Sequence, residues 1–311
     1  MQPLKGKVAV VTGATRSAGR GIACMLGEAG ATVYCTGRST RESLSEIRRP
    51  ETIEETAEMV TAHGGIGLWH RVDHTQPEQV AALFKRVEEE QQGQLDLLVN
   101  DISGDWHLEW VVAGHRTRTF WDCDINKGLA VQETGVHSHI ITNHYAAQLM
   151  VRNRSGLIVE INDGNCLNYN CGLFNGLSKS TIVLLAYMMA EELKTHNVTA
   201  LSLTPGWLRS ETMLEGFGVT EENWRDVIAR TPDFAKSETP FYVGRAVVAL
   251  ATDPNIMART GHALSAGYLA REYGFTDIDG SQPPGYCPEG VFKDGEFRFL
   301  GGNPAADAWG G

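Results

Sequence analysis

The chain has no basic stripe. Its 27 lysines and arginines stand against 38 aspartates and glutamates, a formal net charge of -11, and the only basic cluster runs from Arg38 to Arg49. That balance argues against a nucleic-acid surface, which needs positive charge gathered on one face. No apolar run reaches membrane-spanning length, and the N-terminus has no signal-peptide pattern. A cytoplasmic location is the expectation. Cysteine is sparse: Cys24, Cys35, Cys123, Cys166, Cys171 and Cys287 show no paired metal spacing. Cys166 and Cys171 have no second pair or His cluster beside them, so no metal is expected. Cys24 and Cys35 lie among apolar neighbours and read as packed free thiols. No internal repeat is visible.

What is present begins with Val8-Ala9-Val10-Val11-Thr12-Gly13-Ala14-Thr15-Arg16-Ser17-Ala18-Gly19-Arg20-Gly21-Ile22. A β-branched run enters a Gly-spaced loop, and the loop enters a helical pattern with Ile22, Ala23, Leu26 and Ala29 on one side. This order sets the unpartnered N–H groups of a helix N-terminus against an anion, with glycines letting a pyrophosphate approach. Ala31–Thr36 is a second strand ending at Gly37-Arg38-Ser39-Thr40. No acid occupies this tip to hold a ribose 2′-hydroxyl. Arg38, Ser39 and Thr40, with Arg16 from the glycine loop, suit a 2′-phosphate and so NADP.

Residues 41–50 read as a polar loop insertion. A helix is predicted over 51–63, a strand over 66–72 ending at Asp73-His74, a helix over 77–91 and a strand over 95–100. This alternation predicts a parallel sheet with right-handed crossovers. Residues 104–126, with Trp106, Trp110, Phe120 and Trp121, break the rhythm and are placed where substrate would be gripped. The alternative for them is a cover over apolar sheet edge. Residues 128–152 form a long helix whose His137, His139 and His144 read as surface or interface residues. A strand over 156–161 ends at Asn162-Asp163-Gly164-Asn165. Then come a helix over 176–195, a strand over 198–203 leading to Thr204-Pro205-Gly206-Trp207, an acidic lid over 210–230, a helix over 240–251 and a last strand over 260–265. The expected organisation is one nucleotide-binding catalytic domain, 1–270, with substrate loops 104–126 and 207–239. A surface-wrapping tail, 271–311, follows.

Thr12-Gly13-Ala14-Thr15-Arg16-Ser17-Ala18-Gly19, Asp73, Leu98-Val99-Asn100, Ser178-Lys179 and Thr204-Pro205-Gly206 together resemble the short-chain dehydrogenase/reductase family, over roughly Lys5 to Gly267. Residues 31–38, 247–261 and 269–274 look like its dehydrogenase/reductase member 1 branch. The resemblance implies a doubly wound Rossmann-type α/β fold with about seven parallel strands and a nicotinamide cofactor. It also implies a homodimer or homotetramer through two long central helices. Cofactor contacts are then expected from Gly13, Thr15, Arg16, Ser17, Ala18, Gly19, Arg38, Ser39, Asp73, His74, Asn100, Asp101, Ile102, Lys179, Pro205, Gly206, Trp207 and Leu208.

The family's catalytic set is Asn, Ser, Tyr and Lys, with the Tyr four residues before the Lys. This chain keeps Lys179. At the Tyr position stands Asn175, Asn162-Asp163 replace the Ser, and Gln132 replaces the helical Asn. Ser17 replaces a loop glycine, and Asp101 replaces the second Asn of the fourth-strand motif. Asp163 is the candidate proton donor: in a water-poor pocket its pKa would rise. A carboxylate also suits an iminium substrate, so reduction of an imine or an activated C=C or C=O bond is the leading expectation. Trp106, Trp110, Tyr169 and Trp207 are the candidate substrate contacts. Other possibilities are a non-redox cyclisation or elimination, a non-catalytic nucleotide binder, and an ordinary carbonyl reductase carrying Asn in place of its Tyr.

Overall fold

Val8–Val11 is buried throughout and forms β1 at the centre of a seven-stranded parallel sheet. The other strands are β2 (Thr32–Gly37), β3 (Ile66–Arg71), β4 (Leu97–Asn100), β5 (Gly156–Ile161), β6 (Val198–Thr204) and β7 (Ala263–Ser265). Their order is β3-β2-β1-β4-β5-β6-β7, and Val10 of β1 lies between Tyr34 and Leu98. The order reverses beside β1, and that reversal opens a crevice at the C-terminal strand ends. The computed structural model describes residues 2–104, 119–163 and 172–285.

Helices cover both faces of the sheet. On one side α1 (Ser17–Glu28), α2 (Ile53–Ala62) and α8 (Pro240–Thr252) pack Ile22, Leu26, Val60, Val247 and Leu250 against the strands. On the other, α3 (Pro77–Glu90), α5 (Ser138–Asn153) and α6 (Leu173–Leu193) contribute Leu83, Phe84, Val87, Leu149, Met150 and Leu193. Burying such side chains is worth about 1.5–3 kcal/mol each before entropy is counted. The packed free thiols are there: Cys24 and Cys35 are buried, and burial pushes the Cys24 thiol up to about 11. By length and composition Leu173–His196 reaches membrane-spanning dimensions, which corrects the expectation that no run does. Its Ile182, Val183, Ala186 and Ala190 are buried, and it packs on β5 and β6.

Two further expectations are corrected. The helix over 128–152 is two helices, α4 (Ile125–Gln132) and α5, joined by a π-turn at Glu133–His137. Moreover, the boundary at residue 270 falls inside a helix, α9 (Ala266–Tyr273), capped by the Ser265 hydroxyl accepting from the Tyr268 amide. Residues 274–285 then strap back over the domain. Buried Asp277 accepts from the Thr239 amide and hydroxyl, and the Tyr242 hydroxyl donates to the Pro283 carbonyl at 3.1 Å. A Cβ on Gly267 would stand 2.3 Å from the Pro284 carbonyl carbon, so the strap requires glycine there.

The lid segment has an apolar core of its own. Trp224, Val227 and Phe234 are buried, with Trp207, Leu214 and Phe217 against them. Within it α7 (Glu211–Phe217) is capped by Ser210, whose hydroxyl accepts from the Met213 amide. At the lid's root the Arg209 amide donates to the Glu238 carbonyl and the Glu238 amide to the Trp207 carbonyl.

Candidate active site

The loop after β1 is shaped by close backbone approach. Gly13 has φ +64°, and a Cβ there would stand 2.2 Å from the Asp101 carbonyl oxygen. One on Gly19 would stand 2.4 Å from the Gly13 carbonyl oxygen. Only glycine fits either place. Ser17, where the family's pattern has glycine, holds φ +52°, a left-handed conformation that costs a non-glycine residue about 1–2 kcal/mol. Its amide donates at 3.0 Å to the Glu211 carboxylate. Ala18 and Gly19 follow as the buried first turn of α1. An anionic group therefore already rests on the N-terminal edge of α1, which fits a phosphate there.

Thr12 ties this loop to the turn after β4. Its hydroxyl donates to Asn100 Oδ1 at 3.1 Å and accepts from the Asp101 amide at 3.1 Å. The Asp101 carboxyl accepts from the Gly19 amide, in a half-buried position. Desolvation dominates its titration and pushes it up to about 7, against Lys179 and His139, which pull it down.

The tip of β2 opens on a cavity of about 530 Å³ lined by Arg38, Leu44, Ser45, Glu46, Arg48, Arg71, Asp73 and Gln79. Three guanidinium groups thus share one pocket, and two of them, on Arg48 and Arg71, were not read from the sequence. Arg38 Nη1 lies 3.0 Å from Glu46. Arg16 is outside the lining and pairs with Glu51 at 3.3 Å, and burial lowers its pKa. The expected pairing of Arg16 with Arg38 is therefore not seen: Arg38 lines the cavity with Arg48 and Arg71, and Arg16 faces Glu51. Thr15 is buried and lies beside the tip of β2, where its hydroxyl would meet a Cβ on Gly37 at 2.7 Å. Ser39 is buried and donates to Ser45 Oγ at 2.8 Å, so its hydroxyl shapes the loop. Asp73 accepts from the Thr75 amide and hydroxyl while lining the cavity.

His74 is a correction. Its ring is buried between the Thr36 hydroxyl at 2.9 Å and the Thr142 hydroxyl at 2.8 Å, and so braces β2 against α5. Burial, aided by the charge of His139, depresses its pKa to about 3. The neutral ring fits that place.

His139 is a second correction: it is a core residue, wholly buried. The π-turn explains the difference, because an extra residue in the turn rotates every later side chain relative to a continuous helix. Nδ1 meets Glu160 at 2.5 Å, and Nε2 meets the Ile102 carbonyl oxygen at 2.8 Å. With acceptors at both nitrogens the ring is an imidazolium. Burial alone would lower its pKa, but the Glu160 carboxylate outweighs that and raises it. The other Glu160 oxygen accepts from Asn100 Nδ2 at 3.0 Å and Asn143 Nδ2 at 2.6 Å. The site floor is one hydrogen-bonded unit running Thr12, Asn100, Glu160, His139, Ile102. A buried acid in the apolar run of β5 was the sequence signal for it, since such a charge requires a partner.

Beyond the end of β5 Lys179 Nζ stands 3.1 Å from Asp163 Oδ2 and 3.5 Å from Ser103 Oγ. Ser103 was not anticipated. The Asp163 side chain is 55% exposed and paired with Lys179, so the described residues do not close a water-poor pocket around it. Asn175 lies one turn before Lys179 on the same face of α6. It is buried, and its Oδ1 has no partner among the described residues. Asn162 is buried, its backbone N–H donating to the Leu203 carbonyl at 3.0 Å. Gln132 Nε2 donates to the Phe174 carbonyl at 2.7 Å and so ties α4 to the first turn of α6. After β6, Gly206 lies against Glu238, whose carboxylate a Cβ would meet at 2.5 Å, and Pro205 is buried. Burial first, then the charge of Asp277, push Glu238 up to about 8. Leu208 bridges to Glu238, and Trp207 packs edge-on against Phe234 at 5.1 Å, within the lid core. Trp106, Trp110 and Tyr169 lie outside the described residues.

A family model described as short chain dehydrogenase matches residues 7–217. The chain belongs to the short-chain dehydrogenase/reductase family. Within it the chain sits in the branch of dehydrogenase/reductase SDR family member 1: it is 37% identical to the Mus musculus protein of that name over 280 residues, 89% of this chain and 85% of the relative. The Homo sapiens counterpart is 36% identical over the same length. An Arabidopsis thaliana protein named NADPH-dependent aldehyde reductase 2, chloroplastic is 25% identical over 242 residues, 75% of this chain and 85% of the relative. Among solved structures, a putative dehydrogenase from Xanthomonas campestris superposes with a TM-score of 0.72 at 21% identity, covering 90% of this chain and 95% of that one. That likeness shows the fold. Short-chain dehydrogenases/reductases are oxidoreductases that use nicotinamide cofactors, and the cradle of Gly13, Ser17 and Gly19 with the cavity at Arg38 suits the diphosphate and adenosine ends of one.

Proposed function

We propose that the protein is an NADP(H)-dependent reductase acting on an imine, or on an activated C=C or C=O bond, of a small organic substrate. The observation that carries this is the cluster of Asp163, Lys179 and Asn175 at the C-terminal end of β5 and the start of α6. A bound dihydronicotinamide supplies the hydride. The chain's own groups supply the proton, to an imine nitrogen before the hydride arrives, so that an iminium is the hydride acceptor, or to the oxygen of a C=O or enone as it gains charge. Lys179 Nζ carries protons beside the Asp163 carboxylate, and together they form a donor pair able to pass one to the substrate. The carboxylate also offsets the positive charge of an iminium, which a neutral ketone lacks. Asn175 Oδ1, buried and with no partner among the described residues, is free to accept a hydrogen bond from a substrate N–H or O–H.

Preference for NADP rests on Arg38, Arg48 and Arg71 around the cavity, since planar guanidinium groups bind phosphate oxygens in pairs. Exposed Ile140 on α5 and Leu177 and Met188 on α6 suit a homodimer or homotetramer built through those helices. The test is NADPH consumption with a small panel of imines, enones and ketones. Turnover of an imine or enone supports the proposal. Binding of NADPH without turnover of any of them points to the non-catalytic reading.

A further inference from the structure

The contact between Ser17 and Glu211 links the glycine loop to the lid. Ser17 opens α1 at the glycine loop, and Glu211 opens α7 in the lid, 194 positions later. The Ser17 amide is one of the orphan donors at the N-terminus of α1, and the helix dipole favours an anion there. In this structure the anion is the chain's own carboxylate, at 3.0 Å. One turn further along α7, Glu215 pairs with Arg49 at 2.5 Å, and Arg49 continues through Glu51 to Arg16. Two acids of α7 therefore fasten the lid to the nucleotide side of the crevice. The lid holds together as a unit, because its Trp224, Val227 and Phe234 pack on one another, and its root is pinned at Arg209 and Glu238.

We propose that Glu211 is an internal competitor for the nucleotide diphosphate, so that nucleotide binding displaces it from Ser17 and releases α7 from the glycine loop. This rests on the nucleotide-binding reading given above. The physical basis is that a carboxylate and a diphosphate want the same amides and repel each other at short range. Loss of the carboxylate removes both the competition and the repulsion. The Arg49–Glu215 pair is largely exposed on its acid side and holds α7 weakly. The Ser17 contact is therefore the one whose loss frees the helix.

The experiment measures NADPH affinity by calorimetry for the full-length protein and for Glu211→Gln, Glu211→Ala and Glu215→Gln, and follows amide hydrogen exchange across α7. Both Glu211 variants are expected to bind NADPH roughly three- to tenfold more tightly, the range for one hydrogen bond net of water. Glu215→Gln, which removes the same charge without the Ser17 contact, is expected to change affinity less than about twofold. In the unsubstituted protein NADPH is expected to speed exchange in α7. Unchanged or weaker binding by both Glu211 variants overturns the proposal, as does an equal gain from Glu215→Gln, which would make the effect one of bulk charge. Failure of every form to bind any nicotinamide nucleotide would overturn the cofactor reading itself, and this proposal with it.

Discussion

Lys179 and Asp163 meet at 3.1 Å where the end of β5 faces the first turns of α6. The family's tyrosine position is one helical turn away and holds Asn175, so among the described residues the charged pair at this end of the crevice is the Lys179 ammonium and the Asp163 carboxylate. Asp163→Asn keeps the size of the side chain and removes its charge. Turnover is expected to fall at least about tenfold, with little change in KM for the nucleotide. Steady-state kinetics with an imine substrate checks this. Unchanged turnover would remove Asp163 from the proton pathway.

Arg38 lines the cavity at the end of β2 together with Arg48 and Arg71. Arg38→Ala is expected to weaken NADPH by about tenfold and leave NADH within about twofold. Titrations with both nucleotides read the ratio. Equal loss for both would mean that Arg38 supports the loop and not a 2′-phosphate.

The buried pair of His139 and Glu160 predicts a coupling between two substitutions. Removing His139 alone leaves an uncompensated carboxylate in the core, which costs about 3–5 kcal/mol. His139→Gln is expected to show a loss of that order in urea unfolding. Adding Glu160→Gln is expected to restore part of it, because the amide oxygen still accepts from Asn100 or Asn143. A double-mutant cycle with no coupling would contradict the imidazolium assignment.

Asp101 carries a pH signature. Its carboxyl titrates near 7 in the folded protein and near 4 in an unfolded chain. Its contribution to stability is therefore complete below about pH 4 and is lost as the pH rises through about 7, at no more than about 1.4 kcal/mol per unit. Asp101→Asn is expected to lack this loss. The stability difference between variant and parent, measured by urea unfolding, should then grow in favour of the variant from about pH 4 to pH 7. His74 works in the opposite sense: its depressed pKa stabilises the fold above about pH 6.5 and gives that up as the pH falls toward 3. Using the difference from the parent removes it from the comparison.

Much of this fold is written locally. Val8–Val11 is an unbroken apolar run and Val198–Thr204 is apolar or β-branched except at Ser202, as suits strands buried on both faces, and the glycine loop declares itself by position. The site's floor is not local. Glu160 sits visibly in an apolar strand, but its partner His139 comes from α5, and the π-turn at Glu133–His137 shifts the helical phase that any periodic reading relies on. Residues 274–285 have no apolar period. They are held by side-chain bonds such as Asp277 to Thr239 and Gln282 to the Ala270 carbonyl, which spacing does not reveal. Arg48 and Arg71 reach the cavity from a polar loop and from the end of the edge strand, which only the folded chain brings beside Arg38.

The most direct test is the rate of NADPH oxidation by the purified protein with a cyclic imine, an activated enone and a simple ketone, repeated with NADH. The account predicts turnover of the imine or the enone well above that of the ketone, faster with NADPH than with NADH. Tight NADPH binding with no oxidation in the presence of any of the three would contradict it.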